Sequence, residues 1–271
     1  MERLLLLTVF SCSLLLSACA GSGVSIPLSA GSDVAAVRGN LVLPKERQGP
    51  VPAVVIVHGC SGPRPNGVMW AGFLAEHGYA SLVLDGFGPR GVFEICTNFN
   101  RVPVSRRLQD LQAVLAYLQT RPEIAADRVA VMGFSNGAVV ALDAASRFWS
   151  AQLAHGSLRY RATIALYPEC RNRLIDYALP LLILIGDKDD WTLASSCEEL
   201  LQRSLAEGIR PELRIYPGGL HAFDDLRSGG YLPQVRNINS TSGFGATVGG
   251  DGRSLEAAKA DVLVFLRRQL D

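Results

Sequence analysis

The run Gly133-Phe134-Ser135-Asn136-Gly137 constrains the fold of this chain more than any other stretch. It follows an apolar run at residues 129–132 and opens into a small-residue helical pattern at residues 138–145. The order is strand, sharp turn, helix. G-x-S-x-G in that setting is a nucleophile elbow, a turn that holds a serine hydroxyl out at the top of a sheet. Its glycines are needed because so tight and strained a turn has no room for Cβ atoms. The pattern by itself recurs by chance, and its weight here comes from the residues that follow it.

Those residues stand in a telling order. After Ser135 comes the buried-strand pattern of residues 181–186, followed by Asp187, Asp189 and Asp190. A short strand pattern at residues 213–216 leads to Pro217-Gly218-Gly219-Leu220-His221. Serine, then an acid after a strand, then a histidine after the last strand is the chain order of the α/β-hydrolase triad. A serine hydroxyl needs a base to take its proton, and the base needs a carboxylate to fix its tautomer. Ser135 is the expected nucleophile, His221 the base and Asp189 the acid, with Asp190 second and Asp187 third for that role. The oxyanion is expected to meet two backbone N–H groups, one from Asn136 and one from Cys60, with Ser61 the alternative to Cys60. His58 is expected to shape the loop that carries Cys60, not to act as a base.

Apolar runs and helical patterns alternate along the chain. Strands are predicted at residues 37–43, 53–57, 79–84, 129–132, 162–166, 181–185 and 213–216. Helices are predicted at residues 69–77, 105–120 and 192–207, with a last one carrying Leu255, Ala258, Val262, Phe265 and Leu266. Such alternation predicts an α/β fold with a mostly parallel central sheet and helices on both faces. Ser135, Asp189 and His221 each follow a strand, which brings them to the carboxyl edge where ligands bind in such sheets. Residues 228–253 are rich in Gly, Ser, Asn and Thr and read as a long loop after His221 that could cap the pocket. With 48% hydrophobic and 19% charged residues the chain is not disordered. A net charge of +1 gives no reason to expect nucleic acid as a partner. No metal-ligand spacing and no dinucleotide or phosphate loop is present, so neither metal nor cofactor is expected.

The N-terminus reads separately. Residues 4–16 form an apolar run too short to span a membrane comfortably. It ends in Leu16-Ser17-Ala18-Cys19, which resembles the lipobox of a bacterial lipoprotein signal peptide. The expected organisation is a signal peptide over residues 1–18, a lipidated Cys19 with a flexible tether to residue 36, and one catalytic domain over residues 37–271. Alanine after Cys19 implies the outer membrane of a Gram-negative envelope, with the protein facing the periplasm and the lipid as its only membrane contact. Removing Cys12 and Cys19 from the six cysteines leaves Cys60, Cys96, Cys170 and Cys197, an even number suited to an oxidising compartment. Three pairings are open. Cys170 with Cys197 is favoured because each follows a putative strand near the active edge, and Cys60 with Cys96 then follows.

Five segments together resemble the dienelactone hydrolase family. They are residues 55–63, residues 85–91, the elbow, residues 186–192 and residues 216–224. The resemblance implies a hydrolase acting on a small ester or lactone. The founding members use a cysteine nucleophile, whereas this elbow carries Ser135, which points to a serine esterase. Those enzymes also hold a substrate carboxylate with arginine, and the resemblance suggests Arg90 for that task, or else a salt bridge that fixes its loop. A peptidase or acyl-transferase on the same fold, and a non-catalytic envelope lipoprotein, are the competing readings.

Overall fold

The computed structural model describes residues 21–173 and 175–271. The expected signal peptide and Cys19 lie outside these residues. An eight-stranded sheet runs through the molecule in the order β1-β2-β4-β3-β5-β6-β7-β8. Its strands are β1 (Ser22–Pro27), β2 (Ala36–Val42), β3 (Val51–Val57), β4 (Ala80–Asp85), β5 (Ile124–Phe134), β6 (Ala162–Leu166), β7 (Leu181–Gly186) and β8 (Glu212–Tyr216). β1 and β2 pair antiparallel, as do β2 and β4, and all pairs from β4 to β8 are parallel. The α/β prediction holds, with the antiparallel strands confined to one edge.

The helices are α1 (Pro65–Glu76), α2 (Val104–Gln119), α3 (Asn136–Ala145), α4 (Arg147–Gln152), α5 (Ala194–Ala206) and α6 (Gly252–Leu270). The chain steps one way across the sheet from β3 to β4, then reverses from β4 to β5 and keeps that direction to β8. Right-handed crossovers then put α1 on one face and α2, α3 and α5 on the other. α6 returns to the face of α1, where Lys259 Nζ lies 5.3 Å from the Phe73 ring centre. Both faces are therefore covered. That is why β3, β6 and β7 are buried almost throughout and read as continuous, mostly apolar runs instead of alternating ones. The reversal beside β3 and β5 opens the crevice at the carboxyl edge in which Ser135 sits.

Two expectations are corrected. The expected tether from Cys19 to residue 36 contains β1, which pairs with β2 from Ser22↔Leu41 to Pro27↔Ala36. Val24, Ile26 and Leu28 alternate with polar or small residues, and Ile26 is wholly buried. This period of two was hidden by the Gly/Ser content around it. The domain thus begins well before Val37. The long loop expected at residues 228–253 is a hairpin of β9 (Gly229–Arg236) and β10 (Phe244–Gly249), antiparallel and separate from the main sheet.

Candidate active site

The site starts from the elbow. β5 ends at Phe134 and α3 begins at Asn136, so Ser135 makes the whole turn, at φ 52° and ψ −117°. A non-glycine residue rarely takes such a backbone, and where it does the strain marks a functional position. A Cβ on Gly133 would run into the backbone of Gly137, and one on Gly137 into the carbonyls of Val57 and His58. The glycines therefore allow both the turn and the close approach of the loop that follows β3.

Ser135 Oγ lies 2.9 Å from Nε2 of His221, and Nδ1 of His221 lies 2.8 Å from Oδ2 of Asp189. A carboxylate only accepts, so the imidazole carries its proton on Nδ1 and presents a lone pair to the serine hydroxyl. The second oxygen of Asp189 accepts from the backbone N–H groups of Trp191 at 2.9 Å and Thr192 at 2.8 Å. With the Thr192 hydroxyl, which donates to Oδ2 at 2.8 Å, four groups hold the carboxylate at a single angle. The other two aspartates work elsewhere. Asp190 accepts from the N–H and hydroxyl of Thr247, both at 2.8 Å, and ties the hairpin down. Asp187 accepts from Gly218 N–H at 2.7 Å in the turn after β8.

The imidazole is 2% exposed and lies between the rings of Tyr167 and Trp191, each 4.8 Å away centre to centre. Its carbonyl accepts from Gly249 N–H at 3.0 Å, so β10 fixes the loop that carries it. Tyr167 and Ala222 also have positive φ, 45° and 60°. Backbone strain is thus concentrated around the serine and histidine. The Tyr167 hydroxyl donates to Asp224 at 2.6 Å, and Trp70 Nε1 donates to the same carboxylate at 2.8 Å. Burial raises the Asp224 carboxyl, while these donors hold it down.

Neither Cys60 nor Asn136 has a hydrogen-bond partner for its backbone N–H among the described residues. The loop of Cys60 is held from two sides. Cys60 is bridged to Cys96, and its carbonyl accepts from Ile95 N–H at 2.8 Å. The second bridge joins Cys170 to Cys197, so the structure contains the favoured pairing. His58 donates from Nδ1 to the Gly59 carbonyl at 2.8 Å, in keeping with its expected structural part. Burial first, then the charge of Arg107, lowers the His58 imidazole to about 3, so it is neutral.

Of the two parts expected of Arg90, the structure shows the salt bridge that fixes its loop. Its guanidinium grips Asp110 with two hydrogen bonds of 2.8 Å and Asp33 with bonds of 2.9 and 3.1 Å. It also donates to the Gly86 carbonyl at 2.6 Å. With every face of the fork occupied, it fixes the Gly/Pro-rich loop and lines neither cleft beside Ser135.

Those two clefts meet at Ser135. One holds about 270 Å³, with Phe99, Val104, Val139 and Ile238 among its walls and Arg173, Arg236 and Glu169 as its charged residues. The other holds about 360 Å³ and runs past Tyr167 and His221 to Arg227 and Leu232. The hairpin contributes to both, so it forms a side wall where a capping loop was expected. The sequence reading missed Arg236, Ile238 and Trp191, whose positions depend on how the hairpin docks. It also missed Arg107, a cation in the α2 pattern that gave no local hint of facing inward.

Comparison with known proteins fits this geometry. The dienelactone hydrolase family profile matches residues 37–240. A probable 2-oxo-3-(5-oxofuran-2-ylidene)propanoate lactonase of a Bradyrhizobium species is 26% identical over 196 residues, covering 68% of this chain and 78% of the relative. The crystal structure of a dienelactone hydrolase from Anabaena variabilis superposes with a TM-score of 0.63 at 18% identity, over 93% of this chain and all (100%) of that one. A dienelactone hydrolase-like promiscuous phosphotriesterase from metagenomic libraries gives 0.69 at 15% identity, over 93% and 100% of the two chains. The chain belongs to the dienelactone hydrolase family and is a hydrolase of the α/β-hydrolase fold that acts on ester bonds.

Proposed function

We propose that this protein is an exported serine hydrolase that cleaves small carboxylic esters or lactones through an acyl-enzyme. The reading rests on the Ser135–His221–Asp189 hydrogen-bond line, with spacings of 2.9 and 2.8 Å, at a strained elbow between two clefts. Ser135 Oγ attacks the ester carbonyl carbon as its proton passes to His221 Nε2. The carbonyl π pair moves onto oxygen, where the N–H groups of Cys60 and Asn136 receive it. When the tetrahedral intermediate collapses, the C–O bond to the alcohol breaks and the imidazolium returns its proton to the leaving oxygen. Water, deprotonated by the same imidazole, then releases the acid and frees the serine. With a lactone both products are one hydroxy acid.

The first cleft sets the size of the substrate. At about 270 Å³ it lies just under the range of roughly 300–1,000 Å³ that holds drug-sized ligands, which favours a short or compact acyl group. The relative's name, a lactonase, points the same way. The deciding experiment is a panel of short nitrophenyl esters, aliphatic lactones and a peptide amide on protein lacking residues 1–19. Turnover of esters or lactones that disappears in Ser135→Ala is the expected result. Ester turnover that survives that substitution, or preference for the amide, refutes the reading.

We also propose that Cys19 carries the lipid that anchors the domain in the bacterial envelope, on the strength of the Leu16-Ser17-Ala18-Cys19 run. Metabolic labelling with a radioactive fatty acid should mark the wild type and not Cys19→Ala. Equal labelling of both would overturn it.

A further inference from the structure

Arg107 lies on α2 and is 2% exposed, yet it forms no ion pair among the described residues. Its nearest acid is Asp110, one turn along the helix, and both oxygens of that carboxylate are taken by Arg90. The guanidinium instead donates to two neutral oxygens. Nη1 reaches the side-chain Oδ1 of Asn136 at 2.5 Å, and Nη2 reaches the backbone carbonyl of His58 at 2.5 Å. Its Cζ sits 5.0 Å from the centre of the Phe87 ring, which is itself wholly buried. Burial lowers the group to about 9 against the pull of Asp110, so it remains a cation at neutral pH.

A buried charge with no direct ion pair is expensive and is kept where it serves a site. The two oxygens it holds are well chosen for that. Asn136 follows the nucleophile, and His58 lies two residues before Cys60 on the loop after β3. One rigid fork therefore spans the two backbone segments that carry the Cys60 and Asn136 N–H groups, the oxyanion donors of the esterase reading. A chain of alternating charge, Arg107, Asp110, Arg90 and Asp33, runs from this point outward, with its positive end at the site.

We propose that Arg107 is a positioning residue for the oxyanion hole: its fork sets the separation of the Asn136 and Cys60 donors, and its charge favours the negative oxygen formed when Ser135 adds to the ester carbonyl. The inference rests on the esterase reading above. In the addition, the Oγ–C bond forms, the carbonyl π pair becomes the oxygen charge, and the hydroxyl proton passes to His221. Arg107 touches none of these atoms and acts through the two N–H groups and its field. It stabilises the charged intermediate more than the neutral ester, so its loss falls on kcat and spares KM.

The test compares Arg107→Met and Arg107→Lys with the wild type on a nitrophenyl ester, with active sites counted from the burst of nitrophenol. Phenylboronic acid is the second probe, because its adduct with the serine places a tetrahedral anion at the same donors. For folded Arg107→Met, kcat should fall about 100-fold with KM little changed, and phenylboronic acid should bind weaker by a similar factor. Arg107→Lys, which keeps the charge but cannot span both oxygens, should recover part of the loss. A folded Arg107→Met with wild-type kcat, or one whose kcat falls while boronate affinity stays unchanged, overturns the proposal. Should Arg107→Met fail to melt cooperatively, Asn136→Ala removes one of the two anchors and leaves the backbone N–H. It should lower kcat and boronate affinity together by about 10-fold, and wild-type values there also overturn the proposal. A wild type that turns over no ester refutes the esterase reading itself, a result distinct from an active wild type matched by its Arg107 variants.

Discussion

Replacing Asp189 by asparagine removes one charge and almost no volume, and the structure dictates how the new amide must sit. Oδ1 accepts two backbone N–H groups, from Trp191 and Thr192 at 2.9 and 2.8 Å. An amide NH2 turned towards them would leave those buried donors unpaired, at a cost of about 1–3 kcal/mol each. The amide oxygen therefore takes the Oδ1 position, and the NH2 takes the Oδ2 position, 2.8 Å from His221 Nδ1. Facing a donor, Nδ1 must accept, so the ring proton moves to Nε2. Ser135 Oγ, 2.9 Å away, then meets an N–H where it needs a lone pair. The histidine is held in place in the wrong tautomer. Such a change in a triad lowers kcat by about 10⁴, equivalent to about 5 kcal/mol of barrier. Asp190→Asn is the control, since among the described residues that side chain bonds Thr247 at the hairpin and not His221, and it should lose less than about 10-fold. Steady-state kinetics on a short nitrophenyl ester, with circular dichroism to verify folding, measures both. Should Asp189→Asn keep more than about one-hundredth of the wild-type kcat, or should Asp190→Asn prove the more damaging, the orientation argument is wrong.

Two further outcomes test other parts of the fold. His58 has an ordinary value of 6.5 and is lowered to about 3 by burial, so between those limits the unfolded chain binds a proton that the folded one refuses. The stability tied to its neutral form is present above 6.5 and declines as pH falls towards 3, by about 1.4 kcal/mol per unit. Urea unfolding of wild type and His58→Asn should show the variant losing about 2–3 kcal/mol less between about pH 7 and about pH 4.5, and parallel losses would exclude burial of this ring as a cause of acid lability. The Cys170–Cys197 bridge spans 27 residues. Converting both to alanine should lower the unfolding free energy by about 3 kcal/mol, seen as a lower urea midpoint, and an unchanged midpoint would mean that the bridge does not restrict the unfolded chain.

Much of the site could be read before any coordinates. The elbow, the order of serine, acid and histidine, and the parallel strands under them are patterns carried within a few residues or repeated at short period. Asp189 was preferred over Asp190 by its register after β7, and the hydrogen bond to His221 agrees with that order. The cysteine pairing was inferred from positions after strands, and both bridges are present. The failures have physical causes as well. β1 was hidden because glycine and serine surround a short alternation of Val24, Ile26 and Leu28. β9 and β10 were hidden because they stand outside the main sheet and β9 lies largely exposed, so the hairpin carries little apolar signal.

The amino-acid order alone determined the class of fold, the elbow serine and the histidine that the structure brings within 2.9 Å of it, and the edge of the sheet on which they stand. Each is written in local backbone preference and in the period of apolar residues, which do not depend on distant partners. Tertiary structure decided which charges meet. Arg90, in a Gly/Pro-rich loop, and Arg107, in the α2 pattern, are alike in that the sequence around them does not name their partners. One turns to Asp110 and Asp33 and stiffens a loop, whereas the other is buried behind the elbow and donates to two neutral oxygens. Their difference lies in the direction each side chain leaves its segment and in what the packed strands and helices place before it. No sequence neighbour specifies that, because the partners are brought within reach only when the sheet has closed around them.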